Sequence, residues 1–248
     1  MGNLGDIEIG TTIKLLLLGD SGAGKTCGAC SFPGPLYLAD FDGKANSAAA
    51  YYKNNPEVLK NVEVVNYKPT AEMPFPAKFF NQEMARVKKC TPFPYKTIVI
   101  DSITTFVDET LRWLMHENPQ IKRPESKLVK LSCMTDYGIL QLYLKELLGY
   151  ILAFPCNVIF TAHIETTKDE TTGQIVRSPL MPGKLATKLP IYFEEVWRLY
   201  AANDGKRMVQ TDPDSRFSIC RRQLPVPKEF EFSYDNIKKF LTSQKEAK

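Results

Sequence analysis

The sequence predicts an α/β fold: a mostly parallel central sheet with helices on both faces and a C-terminal antiparallel hairpin. Three observations carry that expectation. Short apolar strands alternate with helical stretches, the pattern of strands covered on both sides. The first strand, Ile13–Leu18, runs directly into a glycine-rich turn and then a helix. The chain has 248 residues, 44% hydrophobic and 24% charged, which suits one domain with a large core and carries no disorder signature.

The elements follow in order. After Ile13–Leu18 a helix begins near Lys25, and Leu36–Ala39 is a second short strand behind the turn-like Pro33-Gly34-Pro35. Asn46 to Lys53, with its run of alanines, reads as helix, and Val62–Asn66 as strand. The proline-rich stretch Pro69 to Pro76 is a loop, followed by a helix over Ala77–Lys89. Thr97–Ile100 is a fourth buried strand that ends on Asp101. Tyr137, Leu140, Leu144, Leu147, Leu148 and Ile151 recur at helical spacing. Val158–Thr161 and Glu195–Tyr200 are further strands. Arg207–Gln210 and Phe217–Arg221 flank Thr211-Asp212-Pro213-Asp214-Ser215, which reads as a hairpin turn. A last helix, Tyr234 to Leu241, leads to a polar tail at Ser243–Lys248. With no repeats and no low-complexity linker, residues 1–248 are expected to form a single domain.

A net charge of +4 and a pI near 8.6 are compatible with a nucleic-acid partner without requiring one. The N-terminal residues lack a basic segment followed by an apolar run, so no signal peptide is expected. Leu15–Leu18 is too short to cross a bilayer, and a cytoplasmic protein is expected. Six cysteines include the close pair Cys27 and Cys30. That pair falls in the first helix with no second Cys/His pair beside it, so buried thiols in a reducing compartment are expected rather than a redox or zinc site.

The chemistry is concentrated at strand ends. Gly19-Asp20-Ser21-Gly22-Ala23-Gly24-Lys25-Thr26 completes the pattern G-x-x-x-x-G-K-[ST] between an apolar strand and a helix. Glycines let successive N–H groups turn inward to phosphate oxygens, with the helix N-terminus adding its dipole. Lys25 would reach the β- and γ-phosphates of ATP, the Thr26 hydroxyl would ligate Mg²⁺, and Cys27 would border the phosphates. A second Mg²⁺ anchor is expected at a neighbouring strand end, and Asp101 closes Thr97-Ile98-Val99-Ile100 in that way. Asp40 and Asp42 lie just beyond the second strand, where an open sheet faces ligand. One of the two would polarise the attacking water; the plain alternative is that both cap the next helix or are solvated. His163 ends another strand and would sense the γ-phosphate, unless it is merely structural.

Together these residues resemble the RecA/RadA recombinase core. Gly19–Thr26, Asp40-Phe41-Asp42-Gly43, Ile98-Val99-Ile100-Asp101-Ser102, Tyr137-Gly138, Thr161-Ala162-His163 and the strand around Phe193–Leu199 occur in the family's order. The chain is most similar to the minimal RecA-like ATPases of phages, the Sak-type single-strand annealing proteins. The resemblance spans roughly residues 10 to 230 and implies a RecA-like P-loop NTPase fold, with ATP and Mg²⁺ as cofactors. It implies Lys25, Asp42, Asp101 and His163 as catalytic residues. Asp42 stands where the family usually has glutamate, so slow hydrolysis is an expectation. His163 stands where recombinases have glutamine.

The resemblance also implies two DNA-binding loops, near Glu117–Thr135 and Ile164–Thr187. They carry Lys122, Arg123, Lys127 and Lys130, and Lys168, Arg177 and Lys184. Those charges would neutralise phosphates of single-stranded DNA, or are simply solvated. A basic finger from a neighbouring subunit is implied, with Lys184, Lys188, Arg207, Arg216, Arg221 and Arg222 as candidates. The expected partners are single-stranded DNA, further copies of the chain in a ring or filament, and a single-strand-binding protein, with no membrane. A phage-encoded protein would work in the bacterial host cytoplasm. The alternatives are a helicase loader or helicase-like motor, a metabolic kinase, or a nucleotide-gated scaffold with little turnover.

Overall fold

A computed structural model describes residues 12–124, 130–168, 173, 175–215 and 217–246. Eight strands form one sheet: β1 (Lys14–Leu18), β2 (Leu36–Asp40), β3 (Val62–Asn66), β4 (Thr97–Asp101), β5 (Asn157–Ala162), β8 (Glu195–Ala201), β9 (Arg207–Gln210) and β10 (Glu229–Glu231). A separate ribbon pairs β6 (Ile164–Lys168) with β7 (Ile175–Pro179). The main sheet runs β10-β9-β8-β1-β5-β4-β2-β3. Every pairing from β8 to β3 is parallel, and β9 and β10 add antiparallel. This is the mostly parallel sheet that the sequence predicts, with the antiparallel addition on the C-terminal side.

The apolar strands divide their side chains between two cores, as a period of two requires. Leu16 and Leu18 of β1, Ile98 and Ile100 of β4 and Phe160 of β5 enter one core. That core is closed by α4 (Pro76–Lys88), α5 (Ile103–Glu117) and α6 (Met134–Leu152). Leu15, Leu17, Val99, Ile159 and Trp197 enter the other, under α1 (Lys25–Ala29), α2 (Ala45–Tyr51) and α8 (Tyr234–Glu246). Glu195 is buried beside Trp197 and accepts from the backbone N–H groups of Gln223 (2.9 Å) and Leu224 (2.8 Å) and from the indole N–H of Trp197 (2.8 Å). Its carboxylate thereby ties the late chain to the sheet, where Phe230, Phe232 and Ile237 complete the second core.

Several elements differ from the sequence expectation. Phe217–Arg221 is not a strand: only Arg221 bridges to Val196, and β9 pairs with β8 and β10 instead. The Thr211–Ser215 turn is part of a locally closed loop, held by Asp212 with Arg222 and by Asp214 accepting from the Phe217 N–H. The true hairpin turn lies between β8 and β9, where Gly205 takes a φ of 82° that favours glycine. The last helix runs through Glu246, past the start of the expected polar tail. Helix α5 is an addition to the expected elements; Ile103, Phe106, Val107 and Thr110 share its buried face and Ser102 caps it. A short helix, α3 (Pro56–Asn61), is a second addition, capped by Asn55 and opened by Pro56.

Candidate nucleotide-binding site

The site forms at the C-terminal ends of β1, β4, β2 and β5, where four loops converge. Ser21, Gly22, Gly24, Lys25, Thr26, Cys27, Asp42, Asp101 and His163 line one cavity of about 390 Å³, together with Lys44, Asn46, Ser47 and Arg207. The sequence-predicted residues are therefore brought together. Asp20 is exposed, while Gly19 and Ala23 are buried in the loop's own support. A Cβ on Gly19 would lie 2.6 Å from the Leu199 carbonyl oxygen, so only glycine lets the loop approach β8. Gly24 has a φ of 97°, and a Cβ there would also meet the Arg207 side chain. Helix α1 spans only five residues, so the loop's inward N–H groups form the phosphate cradle more than a long helix does.

Lys25 is buried, and its ammonium donates to the carbonyl oxygens of Gly19 (2.8 Å) and Asp20 (3.0 Å). Burial lowers its pKa, against the opposing pull of Asp101 and Asp42. The Thr26 hydroxyl donates to Asp101 Oδ2 at 2.6 Å, and Thr161 donates to Asp101 Oδ1. Burial raises the Asp101 pKa, though both hydroxyls favour the charged form. A hydroxyl and a carboxylate meeting at the cradle are the hard oxygen donors that Mg²⁺ takes alongside phosphate and water. The residues thus fit the metal that the fold implies, with Thr26 and Asp101 as its protein anchors.

The acidic pair divides its work. Asp40 is buried and accepts from the backbone N–H groups of Lys44 (3.1 Å) and Ala45 (2.9 Å), fixing the start of α2. Asp42 faces the cavity. Its Oδ1 accepts from Ser102 (2.9 Å) and Thr105 (2.5 Å), and its Oδ2 lies 2.9 Å from His163 Nε2. Burial acts to raise the Asp42 pKa, but hydrogen bonds from His163, Thr105 and Ser102 outweigh it and hold the carboxyl below its usual range. Ser102 and Thr105 hold the Asp42 carboxylate, a role that the motifs do not reveal even though Ser102 closes the Ile98–Ser102 match. Their signal is the helix start immediately after Asp101, recognisable once α5 is seen.

The basic candidates separate sharply. Arg123 points inward: its guanidinium makes a bidentate pair with Asp136 at 2.9 and 2.6 Å, with side chains 2% and 1% exposed. This corrects its assignment as a DNA contact, because Asp136 also caps α6 through the Cys133 N–H and needs the opposite charge. Lys122, Lys130, Lys168 and Lys184 are exposed, and Arg177 is half-buried on β7. Lys127 and Arg216 lie outside the described residues.

Among the finger candidates, Arg221 donates to the Pro190 and Phe193 carbonyl oxygens, each at 2.5 Å, and Arg222 pairs with Asp212 at 2.7 Å. Lys188 donates to Gln141 at 3.2 Å, and Lys184 precedes the short helix α7 (Leu185–Lys188). Arg207 sits in the same chain's cavity, its guanidinium 4.3 Å from the centre of the Tyr51 ring. That position lets it act within its own subunit, whereas the resemblance implies action only from a neighbour. A second cavity of about 490 Å³ adjoins the first through Cys27 and Arg207, and Tyr51 and Tyr52 line it. Cys27 and Cys30 are buried free thiols, and burial pushes Cys30 up to about 12, so they are packing residues.

Among the described residues, no helix is long and apolar enough to cross a membrane. No curated protein matches the chain. A KaiC-like protein from the hyperthermophilic archaeon Pyrococcus horikoshii, a solved structure, is 17% identical with a TM-score of 0.43, over 80% of this chain and 77% of that one. A family model described as an AAA domain matches residues 11–218. The match covers most of the chain and includes the whole phosphate cradle, Asp42, Asp101 and His163: this P-loop ATPase belongs to the AAA domain family.

Proposed function

We propose that the protein hydrolyses ATP and couples the hydrolysis to binding single-stranded DNA, as an oligomer serving annealing in phage-type recombination. The observation that carries the reading is the path through β5. Thr161 holds Asp101 at the cradle, His163 holds Asp42 two residues later, and β6 of the ribbon begins at the next residue. Lys168 and Arg177 lie on that ribbon. A change at the γ-phosphate has one short covalent route to these charges.

In this reading Lys25 leaves its carbonyl partners for the β- and γ-phosphates, and the loop N–H groups hold the remaining oxygens. Thr26 and Asp101 would hold Mg²⁺, which supplies charge neutralisation across the phosphates when bound. The nucleoside half extends into the cavity beside Tyr51 and Tyr52. Arg207, already within the cavity, supplies positive charge without a neighbour. Bases need not stack on the ribbon, because exposed lysines bind the backbone without sequence preference.

The test is phosphate release measured with and without single-stranded DNA, alongside Lys25→Ala. Stimulation by DNA that disappears in the variant is the expected result. DNA that alters neither turnover nor oligomer size would sink the coupling. A second reading, a nucleotide-gated scaffold with little turnover, draws on the engagement of Asp42 by three side chains. Tight ATP binding without phosphate release would select it.

A further inference from the structure

The wall of the cavity opposite the cradle contains two groups able to handle a proton, and they are not equivalent. Both oxygens of Asp42 are engaged: two hydroxyls donate to Oδ1, and the His163 ring meets Oδ2. Its side chain is 7% exposed and that of His163 is 20% exposed. The hydrogen bonds that it accepts hold Asp42 in its charged form, and an ionised carboxylate presents only acceptor oxygens. The ring atom facing it, Nε2, must therefore carry the hydrogen. In the neutral ring Nδ1 then holds the lone pair, and His163 lines the cavity with Lys25, Thr26 and Asp101. The backbone N–H of His163 donates to Thr104 at 3.1 Å and its carbonyl accepts from Leu180 at 2.8 Å, so the ring's base is fixed on both sides.

We infer that His163, through Nδ1, is the general base of ATP hydrolysis, and that Asp42 is a positioning residue which holds its tautomer, itself held by Ser102 and Thr105. The inference rests on the hydrolysis proposed above. The water oxygen forms a bond to the γ-phosphorus as one water proton passes to Nδ1. The bond from that phosphorus to the bridging oxygen breaks, and ADP leaves with the electron pair. The imidazolium is stabilised by Asp42 and returns its proton to solvent. The shortened carboxylate at position 42 thus suits the site: its length serves the ring, and the ring serves the water.

The experiment has two arms. In the nucleotide-free protein, nitrogen NMR of the imidazoles reads the tautomer directly, and the chain contains only two histidines. His163 is expected as the Nε2–H form in the wild type and to lose that preference in Asp42→Asn. An Nδ1–H form in the wild type would overturn the assignment. In the second arm, His163→Ala is expected to lose about 10²–10⁴-fold in turnover with nucleotide affinity retained. Free imidazole should restore part of that loss in His163→Ala and none in His163→Gln. Thr105→Val should lower kcat without changing nucleotide affinity, and Thr105→Ser should recover it. Turnover of His163→Ala within a few-fold of wild type, or no response to imidazole, would overturn this inference alone. A wild type that binds ATP and never releases phosphate would remove the hydrolysis reading as well.

Discussion

The two sides of His163 are built by opposite rules. Upstream, β5 is buried along its whole length, and Thr161 and Asp101 hold one another in the core. Downstream, β6 is exposed from Glu165 to Lys168, and Ile175 and Val176 of β7 are 53% and 44% exposed. The first side is organised by desolvated polar pairs, whose loss leaves a buried group without a partner. The second is organised by ladder hydrogen bonds between two strands that rest on little else. The first kind of surface holds groups at fixed positions, and the second can yield. A single residue separates them.

Substitutions can break or sharpen that contrast. The largest effect belongs to Lys25→Ala, which should lower turnover by at least about 10²–10³-fold, read as phosphate release. Arg123→Ala comes next. It strands Asp136 and should lower the thermal midpoint by roughly 5–15 °C while leaving the exposed lysines in place. A circular-dichroism melt that leaves the midpoint unmoved would overturn the structural role of the Arg123–Asp136 pair.

The same pair has a pH signature. The Arg123 hydrogen bonds hold Asp136 down to about 2, against burial and with help from Cys133. Because the folded carboxyl ionises more easily than an unfolded one near ~3.9, its stabilisation is complete above that value. It is lost as pH falls through about 2, and acid titration of Arg123→Ala should show no such loss.

A smaller effect, confined to binding, is expected downstream. Replacing Lys122, Lys130 and Arg177 together with alanine should flatten the salt dependence of single-stranded DNA affinity, by about 0.7 for each phosphate that is no longer neutralised. The melting midpoint should hardly change. The smallest effect is at Lys78, whose pair with Glu117 is 42% exposed on both sides. Lys78→Ala should shift the midpoint by under about 2 °C.

The sequence revealed the buried side of this contrast best. β1, β2, β4 and β5 are runs of apolar residues bounded by turns, and the cradle has fixed spacing, so local pattern and tertiary role coincide. It revealed the ribbon poorly, because Ile164-Glu165-Thr166-Thr167-Lys168 has no alternation to betray a strand that buries neither face. The error at Phe217–Arg221 has a different cause. Phe217 is an anchor at 0% exposure in an irregular loop, and an apolar anchor looks like a strand when read alone. The site was legible as a set of residue types and illegible as a set of orientations. Nothing in the spacing of Arg123 says that it turns inward, and nothing near Asp42 says that Ser102, Thr105 and His163 hold it.

The central place of β1 has a consequence for synthesis on the ribosome. Its neighbours on the two sides are β5, from Asn157, and β8, from Glu195. The four consecutive leucines of β1 therefore emerge long before either partner exists. At about 5–20 residues per second, the nascent chain carries that apolar segment unpaired for roughly 7–28 seconds. Early shielding must come from the adjoining phosphate loop and α1, or from chaperones. Among the described strands, the one that supports the ATP cradle is made first and is among the last to be enclosed.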